Sequence, residues 1–409
     1  MNAKTNSDNV CDFSRRGFVK NAVFSATAVA ASNGFTQQTR ANTIKLGIIG
    51  CGNRGDFMAN LFATHGGYEI TAVGDYFKEK VDQLGEKYGV PKERRFTGLN
   101  NFKAVIESKP DAIAIMSPPY FHPEQAAVAV EAGMHVYVAK PVAVDVPGCI
   151  SIQESSQKAS LKKLCFFVDF QTRSQPFYIE AVRQVHNGAI GEIAFGEAYY
   201  HCERLNVKAP PDGTPETRLK NWVFMKDLSG DIITEQNIHA LDVMNWVLDK
   251  TPQTVAGGCA RKTRVDVGDC NDCFALQYQF DDCAGVTFSS RQFAGHGSQP
   301  DGIVFRAFGS KGVLETKYGG QVMIRGENFY RGGVTAQIYR EGALNNVAAF
   351  HTLILNGDCS NTTTEPSVRS NLVTIMGRMA AYSGRVVTWD QVVNDKHRLQ
   401  PDLSGLKQS

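Results

Sequence analysis

Residues 47–55 read "GIIGCGNRG", with glycines at positions 50, 52 and 55 directly behind an apolar run. Glycine weakens strands and helices alike, so three in one short stretch need a local reason. Backbone N–H groups can touch a pyrophosphate only where no side chain intervenes, and a helix N-terminus presents partial positive charge to an anion. Upstream, "IKLGIIG" is the continuous apolar run of a parallel strand buried on both faces; downstream, "DFMANLFATH" carries Phe57, Leu61 and Phe62 at helical spacing. Asp75 ends the next strand, "YEITAVGD", 20 residues beyond Gly55, where a carboxylate can accept hydrogen bonds from an adenosine ribose. Strand, glycine turn, helix and carboxylate together predict a dinucleotide site. A carboxylate repels a 2′-phosphate, so NAD is expected ahead of NADP, with Lys78 and Arg54 near enough to soften the preference.

The same alternation continues. "YFKEKVDQLGEKYG" reads as a charged amphipathic helix, "DAIAIMSP" as a buried strand, "HPEQAAVAVEAG" as a helix closed by Gly133 and "HVYVAKP" as a further strand. This is the pattern of an α/β fold with a doubly wound parallel sheet. After residue 165 the texture changes: "GEIAFGEAYYHCER", "CFALQYQF", "AGVTFSSRQF", "GIVFRAFGSKGVLET" and "QVMIRG" are strand-like and several are joined by turn residues, which predicts a second, α+β domain built on a large, open, mostly antiparallel sheet. The expected limits are a signal and linker over 1–42, the dinucleotide-binding domain over 43–165, the second domain over 166–385, and a tail over 386–409 packing back on both. One strong helix, "SGDIITEQNIHALDVMNWVL", is expected over residues 229–248.

Composition narrows the function classes. A chain of 409 residues, 43% hydrophobic and 21% charged, suits about two globular domains. A net charge of +2, with no run of like charges, offers no surplus for a polyanion, so nucleic acid is excluded as an expected partner. No stretch approaches the roughly 20 apolar residues of a stable membrane span. Residues 14–20, "SRRGFVK", place twin arginines before "NAVFSATAVAAS", the layout of a twin-arginine export signal. That predicts the export machinery as a partner, cleavage between residues 28 and 41, and a periplasmic or otherwise exported location. The twin-arginine route carries proteins already folded in a reducing cytoplasm, so ten cysteines argue less for bridges here than in an ordinary secreted protein. Cys270 and Cys273 form a lone C-x-x-C with no second pair at ligand spacing; they read as ordinary cysteines, and no metal site is expected.

Two more constellations carry chemistry. Lys140, in "VYVAKPVAVD", ends a parallel strand at the carboxyl edge of the sheet, where α/β proteins bind ligands, and Pro141 fixes the turn behind it. On the long helix, Asp231, Glu235, His239 and Asp242 are spaced by four, four and three, which predicts one polar stripe beside the packing residues Ile238, Leu241, Val243 and Val247. An imidazole held beside carboxylates is a competent general base near neutral pH.

These motifs, in order, resemble the glucose-fructose oxidoreductase and inositol dehydrogenase family, Gfo/Idh/MocA. The resemblance runs nearly the whole chain, through "IKLGIIGCGNRG", "PDAIAIMSPPYFH", "GMHVYVAKPVAVD", "GAIGEI", "GSKGVLET" and "GRMAAYSGRVVTWDQ" as well as the long helix. It implies a Rossmann domain followed by an open-faced sheet domain commonly used for oligomerisation, hence a homo-oligomer. The family's E-K-P motif falls on Ala139, Lys140 and Pro141, and its D-x-x-x-H pair on Glu235 and His239. By that resemblance Lys140 polarises the reacting hydroxyl, His239 takes its proton, and Glu235 orients substrate or base while hydride passes to the nicotinamide. Ala139 departs from the usual glutamate and Glu235 from the usual aspartate. The expected cofactor residues are Gly50, Gly52, Asn53, Arg54, Gly55, Asp75, Ser117, Pro118, His122 and Lys140; the expected substrate residues are Lys140, Arg173, Glu235 and His239.

The function expected is an NAD(P)-dependent oxidoreductase acting on a hydroxyl of a sugar, polyol or glycoside, its cofactor tightly retained because free nicotinamide is not expected outside the cytoplasm. A redox-neutral NAD-dependent glycoside hydrolase of the same family is the alternative, although the "HG-GP" type of helix is absent where His239 is followed by "ALDV". A non-catalytic sugar- or cofactor-binding protein is the second alternative.

Overall fold

The computed structural model describes residues 42–409. The expected export signal and its expected cleavage site lie outside the described residues. Six strands, β1 (Ile44–Ile49), β2 (Tyr68–Gly74), β3 (Arg95–Phe96), β4 (Ala112–Ile115), β5 (His135–Ala139) and β6 (Phe166–Asp169), pair in parallel in the order 3-2-1-4-5-6. Helices α1 (Asn53–His65), α2 (Lys78–Lys87), α3 (Asn101–Glu107), α4 (His122–Glu131) and α5 (Val146–Leu161) make the crossovers. Every residue of β4 is buried and only Lys45 of β1 is exposed, which is why these strands read as unbroken apolar runs. The sheet order reverses beside β1, between β1 and β4. The crevice there, at the carboxyl ends of the strands, receives the glycine turn.

After α6 (Pro176–His186), strands β7 (Ile193–Cys202), β8 (Thr254–Ala260), β9 (Cys273–Gln279), β10 (Val286–Gln292), β11 (Gly302–Gly309), β12 (Gly312–Lys317), β13 (Gln321–Gly326), β14 (Tyr330–Val334) and β15 (Val387–Thr388) form a nine-stranded sheet, antiparallel except where β7 meets β10. The protein is therefore an α/β fold: a doubly wound parallel sheet and a large, mostly antiparallel one.

Three features differ from the sequence reading. The parallel sheet runs to Asp169, past the boundary expected at 165, because "FFVD" still pairs with β5. The helix expected over residues 229–248 is broken into Lys226–Ser229, α7 (Asp231–Glu235) and α8 (Ile238–Leu248). Gly230 and Asp231 adopt positive φ, and the N–H groups of Gln236 and Asn237 both go to the Ile232 carbonyl, so the axis cannot run through. The third concerns α9 (Ile338–Asn356), which follows strands β7–β14 of the second sheet yet buries Ala343, Val347 and Phe350 against Phe62 of α1 and Tyr137 and Phe167 of the first sheet. Burying the Val and Phe side chains contributes about 1.5–3 kcal/mol each, enough to hold the helix there. Finally α10 (Thr364–Ser383) packs between α5, α8 and β8, and the last residues reach the dinucleotide-binding sheet: Leu99 and Asn100 donate to the carbonyls of Lys407 and Gln408 at 2.9 and 2.8 Å.

Candidate active site

The three glycines have three different reasons. A Cβ on Gly50, at φ +93°, would meet the backbone of Met116 and Ser117 at 2.5 Å. One on Gly55 would lie 1.9 Å from the Gly50 carbonyl oxygen, so this glycine lets α1 pack onto the turn. At Gly52, the N-cap of α1, a Cβ would meet nothing within 4 Å. Its missing side chain leaves open the space in front of the first N–H groups of a 13-residue helix that no side chain caps. This cradle fits a pyrophosphate. Asp75 stands behind it, with Oδ2 accepting from Cys51 N at 2.7 Å and Oδ1 from Phe77 N at 2.9 Å. Burial raises its pKa while those two N–H groups oppose the rise. The carboxylate ties the glycine turn to the end of β2 and retains lone pairs for ribose hydroxyls.

Several expected cofactor residues are committed elsewhere. Arg54 pairs with Asp169, whose side chain is 1% exposed, and its guanidinium carbon lies 5.2 Å from the ring centres of Phe57 and Tyr339. Burial is the largest influence and works against its charge, but Asp169, Tyr339 and Tyr137 together outweigh it and the pKa rises. A buried carboxylate needs a cation, and Arg54 supplies it instead of turning to a phosphate. His122 is also turned away: it is 1% exposed, with Nδ1 2.9 Å from the Pro141 carbonyl and Nε2 2.8 Å from the Ser117 carbonyl. Burial lowers its pKa to about 4 despite those carbonyls, so the ring is neutral, packed between the loop after β4 and the loop after β5 with one N–H to give to one of the two carbonyls. Ser117 Oγ donates to Gln125 Oε1 at 2.6 Å, and the Pro118 carbonyl accepts from Phe121 N. Asn53 is exposed in the first turn of α1.

The residues expected to do chemistry do come together. Lys140, just past β5, donates from Nζ to the Glu235 carbonyl at 2.5 Å and lies 3.4 Å from Glu235 Oε1, each side chain 15% exposed. Glu235 closes α7, and His239 opens α8 one turn later. His239 Nδ1 is buried with no hydrogen-bond partner, and its ring lies 5.5 Å from that of Tyr318. Burial first, then the charges of Lys140 and Arg54, hold its pKa well below the usual value. The imidazole is therefore a neutral acceptor within the electrostatic reach of the Lys140 ammonium, and Lys140 follows β5 at the sheet edge that carries the glycine turn.

The rest of the expected stripe is dispersed by the helix break. Asp242 is fully buried and takes a bidentate fork from Arg173 at 2.8–3.0 Å plus a bond from Ser370 Oγ at 2.8 Å. Arg173 is thus committed through Nε and Nη2 to a carboxylate, with Trp246 under its guanidinium. Asp231 accepts from Tyr382 Oη, Asn271 N and Ile232 N. Among the described residues no carboxylate hydrogen-bonds His239, so Glu235 serves Lys140 and not the histidine. Asp169 and Tyr318 were missed. Asp169 ends a parallel strand, the same signal that singled out Lys140, whereas Tyr318 reaches His239 from the far sheet and carries no local signal.

Comparison with known proteins follows the two sheets. Residues 44–168 match a family described as "Oxidoreductase family, NAD-binding Rossmann fold", and residues 178–315 match "GFO/IDH/MocA C-terminal domain". An inositol 2-dehydrogenase 2 from Saccharopolyspora erythraea is 25% identical over 286 residues, 68% of this chain and 77% of that protein. A glycosyl hydrolase family 109 protein from Shewanella pealeana is 29% identical over 177 residues, 41% of this chain but only 38% of that protein. The apo scyllo-inositol dehydrogenase from Lactobacillus casei superposes with a TM-score of 0.66 at 21% identity, over 85% of this chain and 99% of that one, which establishes likeness of fold.

Proposed function

The chain belongs to the GFO/IDH/MocA oxidoreductase family, and on that premise we propose that it oxidises or reduces a hydroxyl-bearing carbon of a sugar, polyol or glycoside with a retained NAD. One observation carries the reading: Lys140, held by Glu235, stands beside a neutral, unpartnered His239 at the sheet edge that bears the glycine cradle. Gly50, Gly52, Gly55 and Asp75 hold the dinucleotide; NADP is disfavoured by the Asp75 carboxylate. When bound, the nicotinamide exchanges hydride with the carbinol carbon. Lys140 places positive charge where alkoxide develops, and His239 takes the hydroxyl proton at a ring nitrogen that no protein group occupies. Glu235 keeps the ammonium in place.

Retention is supported by the tail. Lys407 N donates to Tyr76 Oη at 3.2 Å, and Leu403 and Leu406 pack with Tyr76, Phe77 and Leu99, immediately beyond Asp75. Removal of residues 399–409 should accelerate NAD release, measured by stopped-flow displacement; an unchanged off-rate counts against a role for the tail. Denaturing the purified protein and identifying the released nucleotide tests the cofactor itself.

The redox-neutral glycosidase is the second reading, favoured by the family 109 relative. A glycoside panel separates the two: aglycone release with no net change in nicotinamide absorbance supports hydrolysis, and accumulated NADH supports oxidation. Export and assembly complete the proposal. Replacing Arg15 and Arg16 by Lys should leave the protein in the cytoplasm, and normal periplasmic recovery would overturn the export reading. The stacked Phe195 and Phe308, with Phe195 39% exposed on the second sheet, support self-association, which light scattering after size exclusion tests.

A further inference from the structure

Away from the cleft, two thiols face each other. Cys165 sits in the turn between α5 and β6, Cys359 just past the end of α9, and their Sγ atoms are 3.7 Å apart across 194 residues of sequence. Among the described cysteines no other two sulfurs are in such contact. Cys165 is buried and its thiol donates to the Asp358 carbonyl at 3.2 Å; Cys359 is partly exposed.

We propose that Cys165 and Cys359 close into a disulfide in an oxidising environment, and that this cross-link fastens α9 to the dinucleotide-binding sheet. Their flanks are already in register. The Asn361 side chain accepts from Phe166 N at 2.7 Å and donates to Leu164 O at 3.1 Å and Ser160 Oγ at 2.9 Å, so the chain on both sides of Cys165 is held against the segment that carries Cys359. At the other end of the same two elements, Asn346 of α9 donates to Asp169 of β6 at 2.8 Å, and Asp169 holds Arg54. The disulfide pins the far end of a contact whose near end borders the cleft. An S–S bond of about 2 Å requires the sulfurs to close by under about 2 Å, within the reach of a side-chain rotation at the less buried cysteine.

The chemistry is exchange with an external disulfide, RS–SR. The Cys359 thiolate attacks one sulfur, forming a mixed disulfide and releasing RS⁻. Cys165 then gives up its proton and attacks Cys359 Sγ, releasing the second RS⁻. Two protein thiols are oxidised, RS–SR is reduced to two RSH, and the two protons leave on the thiol products. The order follows from access and acidity: burial, then the contact with Cys359, raises the Cys165 thiol to about 12, so Cys359 is the entry point.

The test uses the full chain, reduced, then incubated with oxidised glutathione. Peptide mapping without reductant should find one peptide pair joined through Cys165 and Cys359, with a mass loss of about two units that dithiothreitol reverses. Closing so long a loop should raise the melting temperature by at least about 3 °C. Cys359→Ser, at the more exposed position, should form no link and melt alike in both buffers. Both thiols remaining free, a glutathione adduct on Cys359 that never resolves, or a link without a rise in melting temperature would each overturn the proposal.

Discussion

Substituting Gly52 separates the cradle from the fold. The site has φ −71° and ψ −164°, allowed to any residue, and an added Cβ meets no atom within 4 Å. Reduced freedom of the unfolded chain should stabilise Gly52→Ala by about 0.4–1 kcal/mol, while alanine is the poorer N-cap by a few tenths or more, so the two effects nearly cancel. Stability without cofactor should therefore stay within about 0.5 kcal/mol of the parent. Binding should not. The methyl group occupies the space in which backbone N–H groups would meet a pyrophosphate, and losing one hydrogen bond to a charged group costs about 1.5–3 kcal/mol, or roughly 10- to 150-fold in Kd. Gly55→Ala supplies the contrast, since its Cβ would overlap the Gly50 carbonyl oxygen and the turn itself must shift. Urea melts of the apoprotein together with calorimetric titration of NAD read both quantities. If Gly52→Ala binds NAD as the parent does, the cradle is not a phosphate site.

His239→Ala should lower turnover by about 10²–10⁴ with NAD affinity unchanged, and equal turnover would make the histidine structural. Because burial and the charge of Lys140 depress its pKa, the acid limb of the pH–rate profile should lie below the ordinary histidine range, and Lys140→Met should move the limb of the residual activity upward; a limb that stays put separates the two residues. Arg173→Met leaves a fully buried Asp242 without its fork and should cost about 3–5 kcal/mol of stability, seen in denaturant melts, while any protein that still folds keeps its KM. His122 gives a stability signature: its folded pKa of about 4 lies below the unfolded value near 6.5, so the unfolded chain binds the proton first, and the contribution present above pH 6.5 is lost as pH falls through 4, by up to about 3 kcal/mol. His122→Gln should flatten that part of the stability curve.

The parallel sheet was legible because its signals are local. A strand buried on both faces is an unbroken apolar run, and a turn that approaches a pyrophosphate must be bare of side chains, so "IKLGIIG" and the glycines at 50, 52 and 55 announce themselves within a dozen residues. The broken helix was not legible. Periodicity sees the side chains of residues 229–248, all compatible with a helix, but the break is made by Gly230 and Asp231 at positive φ and by an Asp231 carboxylate anchored to Tyr382 of α10, 151 residues away. The return of α9 to the first sheet is equally non-local, since Val347 and Phe350 find their partners only once the second sheet has been crossed.

The site divides along the same line, and the division has a physical cause. Lys140 was found from its place at a strand end, a backbone argument that tertiary structure does not revise. Arg54 and Arg173 were named among the expected ligand residues with no account of the competing claim of buried carboxylates. Asp169 and Asp242, 1% and 0% exposed, have lost the hydration of an ionised group, and recovering it from a fixed guanidinium is worth more than the same arginine gains by waiting, solvated, for a phosphate or a sugar hydroxyl. Lys140 escapes that claim because its partners are a backbone carbonyl and the partly exposed Glu235, neither of which needs the ammonium so badly. The cation left facing a neutral His239 is the one whose charge the fold has not already consumed, and that is the condition for its charge to be spent on an alkoxide.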